Sequence, residues 1–249
     1  MDKITLSPSA LLYGAIRVGS PGFYGVKDVF YGMNDEQIKE TLRDCCLELD
    51  AQGYGEMTFE GDFHLFKETE NLIKSAAFCD RYMQCTFDVS VPHQEIFYFK
   101  DSDVLRLTEE DGLLELKKMS PSDVVEHILC ELPELRNRED SFCEEISDTV
   151  IQLLKQAAHK NEEEQAAVRA CKTPNLGKVL LEYYRGEARS VVMTYVCPGT
   201  EIALAATYIS SAYGDVFLVL EPDLVMPWQM KKTAIPASRK CVYDWIKKR

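Results

Sequence analysis

Apolar and polar positions alternate along two separated stretches of the chain. In the first, Cys85, Phe87, Val89 and Val91 alternate with Thr86, Asp88 and Ser90, the two-residue period of a strand buried on one face. Glu95 to Lys100 predicts a second strand, and Asp101-Ser102-Asp103 carries turn chemistry. Val104 to Thr108 returns, Glu109 to Gly112 turns again, and Leu113 to Lys118 completes a meander. The second stretch repeats the series with Ser190 to Val196, Ile202 to Ser210, Asp215 to Val219 and a further strand. Each series follows a helix opened by related residues, Thr69-Glu70-Asn71-Leu72-Ile73-Lys74 and Thr173-Pro174-Asn175-Leu176-Gly177-Lys178. Each also leads into a helix, Ser122 to Leu132 or Ala237 to Lys248. The pattern predicts an α+β fold built as a quasi-twofold repeat of an αβββα unit around an antiparallel sheet. Two such halves would present a broad saddle of surface.

Helical spacing governs the rest. Ser7-Pro8 reads as an N-cap followed by proline at the first helical position, and Leu11, Leu12, Ala15 and Ile16 give that helix an apolar face ended by Gly19. Asn34 and Gln37 form a capping box for a helix carrying Ile38, Leu42, Cys45, Cys46 and Leu49. Met57-Thr58-Phe59 predicts a brief extended piece, and a helix is expected from about Phe63 to Asp80. In the second half Ile146, Val150, Leu153, Leu154 and Ala157 make one stripe. A short helix is expected between Asn161 and Cys171, and the last helix groups Val242, Trp245 and Ile246. Leu132 to Asp140 reads as the connection between halves. The expectation is one domain, 1–249, made of halves spanning about 1–135 and 136–249.

Composition narrows the chemistry. At 249 residues and 46% hydrophobic the chain can bury a substantial core. The net charge of -13 disfavours nucleic acid and anionic membrane, which both need a basic face. Met1-Asp2-Lys3 opens no signal peptide, and no apolar run approaches a membrane span, so a cytoplasmic location with nine reduced cysteines is expected. Cys79 and Cys85 bracket a helix–strand junction, where a regulatory disulfide is the rival reading. His64, His93, His127 and His159 are scattered, and no cysteine–histidine spacing matches a zinc site. Nucleophile-elbow, dinucleotide and P-loop motifs are absent from the sequence. The acidic runs Glu109-Glu110-Asp111 and Glu162-Glu163-Glu164 read as solvated turns and first-turn helix charges. The expectation is a non-enzyme with no cofactor and no metal.

Four pieces of sequence resemble the EspG family of type VII secretion chaperones and its Gram-positive, Firmicutes-type relatives. They are the opening Ile4-Thr5-Leu6-Ser7-Pro8-Ser9-Ala10-Leu11-Leu12, the helix ending Leu49-Asp50-Ala51-Gln52-Gly53-Tyr54, the helix Asn71 to Asp80 feeding the strand Cys85 to Val91, and Val124 to Pro133. The resemblance implies a central antiparallel sheet flanked by two helical bundles. It also implies a cytosolic chaperone that binds the tip of a secreted helical-hairpin protein of the WXG100 or LXG kind, acting as a monomer or weak dimer. The rival reading is an acidic immunity protein that plugs a secreted basic toxin.

A partner surface needs an apolar patch on a rigid frame. Tyr208, Tyr213 and Phe217 around the second-half hairpin, expected to be longer than its counterpart, form one candidate. Met226, Trp228 and Met230 form another, dense in the residue types that anchor interfaces. Burial in the core is the competing expectation for Trp228 and Met230. The glycine-rich but aromatic loop Ser20 to Gly32, with Phe23 and Tyr24, must either pack on the body or meet a partner.

Overall fold

The computed structural model describes residues 1–131, 142–160, 164–199, 203–222 and 230–247. The fold is α+β, with a large antiparallel sheet and eight helices among the described residues. The chain divides into two compact units. The first holds residues 1–84, 94–121 and 197–199; the second holds 85–93, 122–196 and 200–249. The division therefore falls at Pro121, with Cys85 to His93 given to the second unit. The connection expected at Leu132 to Asp140 lies outside the described residues.

In the first unit, β1 (Lys3–Leu6) pairs with β7 (Leu113–Met119), β7 with β6 (Asp103–Glu110) and β6 with β5 (His93–Lys100), all antiparallel. Residues 81–84 of β4 (Arg81–Asp88) also belong here. Ile4, Leu6, Tyr98, Leu105, Leu107, Leu114 and Leu116 are buried in a single core with residues of α1 (Pro8–Arg17), α2 (Asp35–Ala51) and α3 (Lys67–Ala77). Charges line up across neighbouring strands of the same sheet. Lys3 pairs with Glu115 at 2.5 Å, and Arg106 lies 3.7 Å from Glu115 and 3.6 Å from Glu95. Both helix starts behave as the sequence predicts. Ser7 Oγ accepts from Ala10 N, and Asn34 and Gln37 complete their capping box.

In the second unit the order is β9 (Arg189–Val196), β10 (Ala203–Ser211), β11 (Gly214–Pro222), β12 (Met230–Pro236) and β8 (Glu144–Glu145). α5 (Asp148–Lys160), α6 (Glu164–Arg169) and α7 (Pro174–Arg185) share a core with Ile209, Val216 and Ala234. α4 (Pro121–Cys130) and α8 (Arg239–Lys247) follow the two meanders, and Val242, Trp245 and Ile246 of α8 are buried as their spacing predicts. Asn161 to Glu163 lie outside the described residues.

Two expectations need correction. Helix, four strands and helix occur in succession twice, so each series holds one strand more than an αβββα unit. The fourth strand, β7 or β12, is fixed by full pairing along β6 or β11. The helix expected from Phe63 starts only at Lys67. Phe63–Leu65 is instead strand β3, paired with β2 (Gly55–Met57). Phe63 is buried against Tyr13, Arg17 Nη2 donates to its carbonyl at 2.6 Å, and Phe66 N donates to Tyr54 O. Those contacts commit the backbone to an extended path before a helix can start.

The one apolar difference between the related helix openings has a packing cause. Ile73 of α3 is fully buried, and its Cδ1 lies 2.7 Å from where a β-carbon on Gly14 of α1 would fall. At the matching place in α7 stands Gly177. There a β-carbon would meet the Val168 carbonyl oxygen of α6 at 2.6 Å. In one helix pair the neighbour is glycine and yields the space; in the other the helix itself yields it.

Candidate functional site

A groove of about 720 Å³ opens on the helical side of the first unit. Its walls come from three helices and one loop. Leu12 and Ile16 project from α1, Ile38 and Leu42 from α2, Phe78 from the end of α3, and Phe30 from the loop. These positions fall at i and i+4 on α1 and α2, so each helix turns one stripe toward the groove. The volume lies within the usual range for ligand sites, and the lining is predominantly apolar. Rim residues Ile16, Tyr24 and Phe78 are 48%, 42% and 46% exposed.

The loop is pinned to the sheet. Phe23 is buried against Tyr98, and the Tyr98 hydroxyl donates to the Tyr24 carbonyl at 2.7 Å. Tyr24 stacks on Tyr82 with ring centroids 5.1 Å apart and planes 9° from parallel. Gly25 has φ 79°, and a β-carbon there would lie 2.5 Å from Ile96 Cδ1. Close approach and a left-handed backbone therefore both require glycine at this position. Ser20 Oγ donates to Gly22 O, and Asp28 Oδ1 accepts from Phe30 N. The sequence left open whether this aromatic loop packs on the body or meets a partner. It does the first with Phe23 and leaves Tyr24 at the rim.

Charge in the groove is sparse: Arg17 and Asp28 are the charged residues of its lining. Tyr13 lies at its floor, with Cys46 Sγ donating to its hydroxyl at 3.3 Å. Burial pushes Tyr13 up to about 12, so the phenol stays protonated and is no base. Burial likewise pushes Cys45 up to about 11, which keeps it a thiol near neutrality and a poor nucleophile. What the arrangement offers is apolar contact area with a few fixed polar groups, suited to holding a surface.

The other predicted residues separate. Tyr208 and Phe217 face each other across β10 and β11 and are buried, with Phe217 set edge-on to Trp245 at 6.2 Å. Both are core residues, because the register that pairs them turns their shared face inward. Phe23 is buried against Tyr98 for a different reason, the packing of its loop, and it still contributes to the lining of the groove. Tyr213 is 40% exposed in the two-residue turn Ala212–Tyr213, with Lys178 Nζ 5.0 Å from its ring centroid. The counterpart turn, Asp101–Ser102, has the same length, and the second hairpin is longer by one residue pair. Met230 is partly exposed at the start of β12. Met226 and Trp228 lie outside the described residues.

The sequence did not single out Ile16, Phe78 and Phe59 as surface candidates. A signal existed for the first: Leu12 and Ile16 widen the apolar face of α1 beyond what Leu11 and Ala15 need. His93 stacks on Phe87 with ring centroids 4.5 Å apart. Among the described residues no three His, Cys, Asp or Glu side chains gather as a metal ion would require.

No family model matches the sequence, and no curated protein matches it. Solved structures do match. One is the Mycobacterium tuberculosis type VII secretion system chaperone EspG5, solved in complex with the PE25–PPE41 dimer. The similarity covers 98% of this chain and 94% of that one, at a TM-score of 0.64 and 6% sequence identity. The fold is EspG-like. At that identity the likeness carries over the architecture of nearly the whole chain and nothing of individual side chains. No helix among the described residues is long and apolar enough to cross a membrane.

Proposed function

We propose that this chain is a non-catalytic chaperone or adaptor of type VII secretion, of the Firmicutes-type branch that its sequence resembles. It acts in the cytoplasm and holds a secreted helical protein of the hairpin, WXG100 or LXG kind before export. The two helix–meander–helix series are read as halves of a duplicated unit related by a twofold axis. The single observation that carries the reading is the pinned apolar groove with the rim Ile16, Tyr24 and Phe78, set in an EspG-like fold. A groove walled by apolar i, i+4 stripes suits the apolar face of an amphipathic helix. Covering such a face on a secreted protein would keep it from aggregating while its final partner is absent.

Capture from a lysate of the source cells, read by mass spectrometry, should return a secreted protein through its helical N-terminal region. Recovery of the toxic C-terminal domain of a secreted enzyme would instead favour an immunity protein. With the captured partner, calorimetry on Ile16→Ala/Tyr24→Ala should show binding weakened by about 2 kcal/mol or more, the usual hot-spot scale. Tyr213→Ala is the comparison. A folded groove variant of unchanged affinity beside a weakened Tyr213→Ala would move the site to the second-half hairpin.

A further inference from the structure

The hairpin β2–β3 carries an aromatic knob that the fold has no internal use for. Phe59, at its tip, is fully exposed at 107% of its reference area, and Met57 beside it is 45% exposed. The tip is not slack. Thr58 N donates to Asp62 O at 2.7 Å, Gly61 N to Thr58 O at 3.0 Å, and Asp62 N to Thr58 Oγ1 at 3.1 Å. Gly61 takes the left-handed conformation that closes the turn, at φ 90°. An ordered turn presenting a bare phenylalanine is a pre-organised anchor, because little further freedom is lost when it binds.

The knob and the groove are neighbours on one molecule. Arg17 and Tyr13 line the groove. The same Arg17 donates to the carbonyl of Phe63 at the hairpin root, and the same Tyr13 packs on the Phe63 ring. From the Met57–Phe63 pair the tip rises roughly 7 Å, two residues at ~3.3 Å each. Phe59 is not among the residues lining its own groove. The knob is flanked by Glu56, Glu60 and Asp62; of the groove's two charged residues, Arg17 and Asp28, the cation is the one bonded to the hairpin root.

We propose that this surface binds a second copy of the chain. The two molecules pair about a twofold axis beside the Arg17–Phe63 contact. Each inserts Phe59 into the other's groove, against Ile16 and Phe78, and sets its hairpin carboxylates near the partner's Arg17. A self-complementary knob and groove on one face generate a closed dimer, since both contacts form at once. The dimer would cover the groove when no helical partner is bound. The contact stands on the protein alone, so it can fail without touching the secretion reading, and the reverse.

Sedimentation of the full chain from about 1 to 100 µM, the range where a weak dimer dissociates, should show a monomer–dimer equilibrium. Phe59→Asp and, separately, Phe78→Glu should each weaken the dimer by about tenfold or more, a hot-spot-sized loss, while circular dichroism stays that of the wild type. Mixing the two variants should partly restore dimer, because the mixed pair keeps one intact knob and one intact groove. Should Phe78→Glu fail to fold, Ile16→Glu at the exposed rim tests the same groove: alone it weakens pairing, and a mixture with Phe59→Asp recovers it. A wild type that stays monomeric at the top of that concentration range overturns the proposal. So does a dimer that Phe59→Asp leaves intact, or a mixture no stronger than its components.

Discussion

Gly177→Ala offers the sharpest test of the helix packing. An alanine inside α7 would gain about 1 kcal/mol of helix propensity over glycine. Against this, its β-carbon would stand 2.6 Å from the Val168 carbonyl oxygen and 2.9 Å from the Val168 Cα. Those are backbone atoms, and Val168 O already accepts from Cys171 N in the turn joining α6 to α7. Ordinary contact requires α6 to retreat by the better part of an ångström, which strains the seats of buried Ala167 and Cys171. Overpacking of that kind costs about 1–3 kcal/mol, and rigid backbone puts this case at the upper end. The net expectation is a loss of about 2 kcal/mol, or about 4–8 °C in Tm for a chain of this size. Gly14→Ala is the internal control. Its β-carbon comes closest to Ile73 Cδ1, the tip of a movable side chain, so an off-rotamer cost of about 0.5–1.5 kcal/mol nearly cancels the propensity gain. Thermal and urea melts of both variants, with hydrogen exchange at the Cys171 amide, would decide. Equal stability of Gly177→Ala and wild type, or greater damage from Gly14→Ala, would refute the reasoning.

Other outcomes follow from the hydrogen bonds and buried thiols. Glu144 accepts from Lys172 N and Thr173 N at the start of α7, so Glu144→Ala orphans two amides and should cost about 3 kcal/mol by urea titration. Glu48 clasps Ser7 N and Oγ at 2.6 Å each, and Glu48→Ala should cost about 1–3 kcal/mol, because this site is less buried. Burial pushes Cys45, Cys79 and Cys171 up to about 11. With iodoacetamide under mildly alkaline conditions, exposed Cys130, Cys143 and Cys197 should therefore label first, and all nine should count as free in denaturant. These thiols and Tyr13, pushed up to about 12, hold their protons more tightly folded than unfolded. Their stabilisation is complete below the ordinary thiol value of 9.0 and is lost as pH rises through the folded values. Melting temperature should thus be insensitive to these groups at neutral pH and fall between about pH 9 and 12; a decline already complete below that window would contradict this.

The elements that follow from local rules were legible in the chain. Ser7-Pro8 and Asn34 with Gln37 announced their helices because caps are made by adjacent residues. β4, β6 and β9 showed because one face of each is buried in alternation, whereas β5, buried at every position from Glu95 to Phe99, showed as a continuous run of β-forming apolar residues. Phe63 was misread because its extended path is fixed by Tyr13, Arg17 and Tyr54, of which the first two are distant in sequence. Tyr208 and Phe217 misled for a related reason: an aromatic near a turn looks exposed until the register decides its face. Phe23 and Tyr24 are adjacent between Gly22 and Gly25, and only the fold decides that the first is buried while the second stays at the rim. The groove itself was not foreseen, since it exists only where α1, α2, the loop and the end of α3 come together.

The sheet of the first unit has a consequence for how the protein is born. Lys3 pairs with Lys117, so β1 waits 114 residues (117 − 3) for its partner. At about 5–20 residues per second that is roughly 6–23 s during which Ile4 and Leu6 have no strand to join. The second unit takes Cys85 to His93 from the middle of the first, and the first takes residues 197–199 from within the second, so neither unit is one contiguous segment and the first is not complete until residue 199 has emerged. Assembly must therefore come late and together rather than in order of synthesis. Until then the emerging strands need shelter of their own.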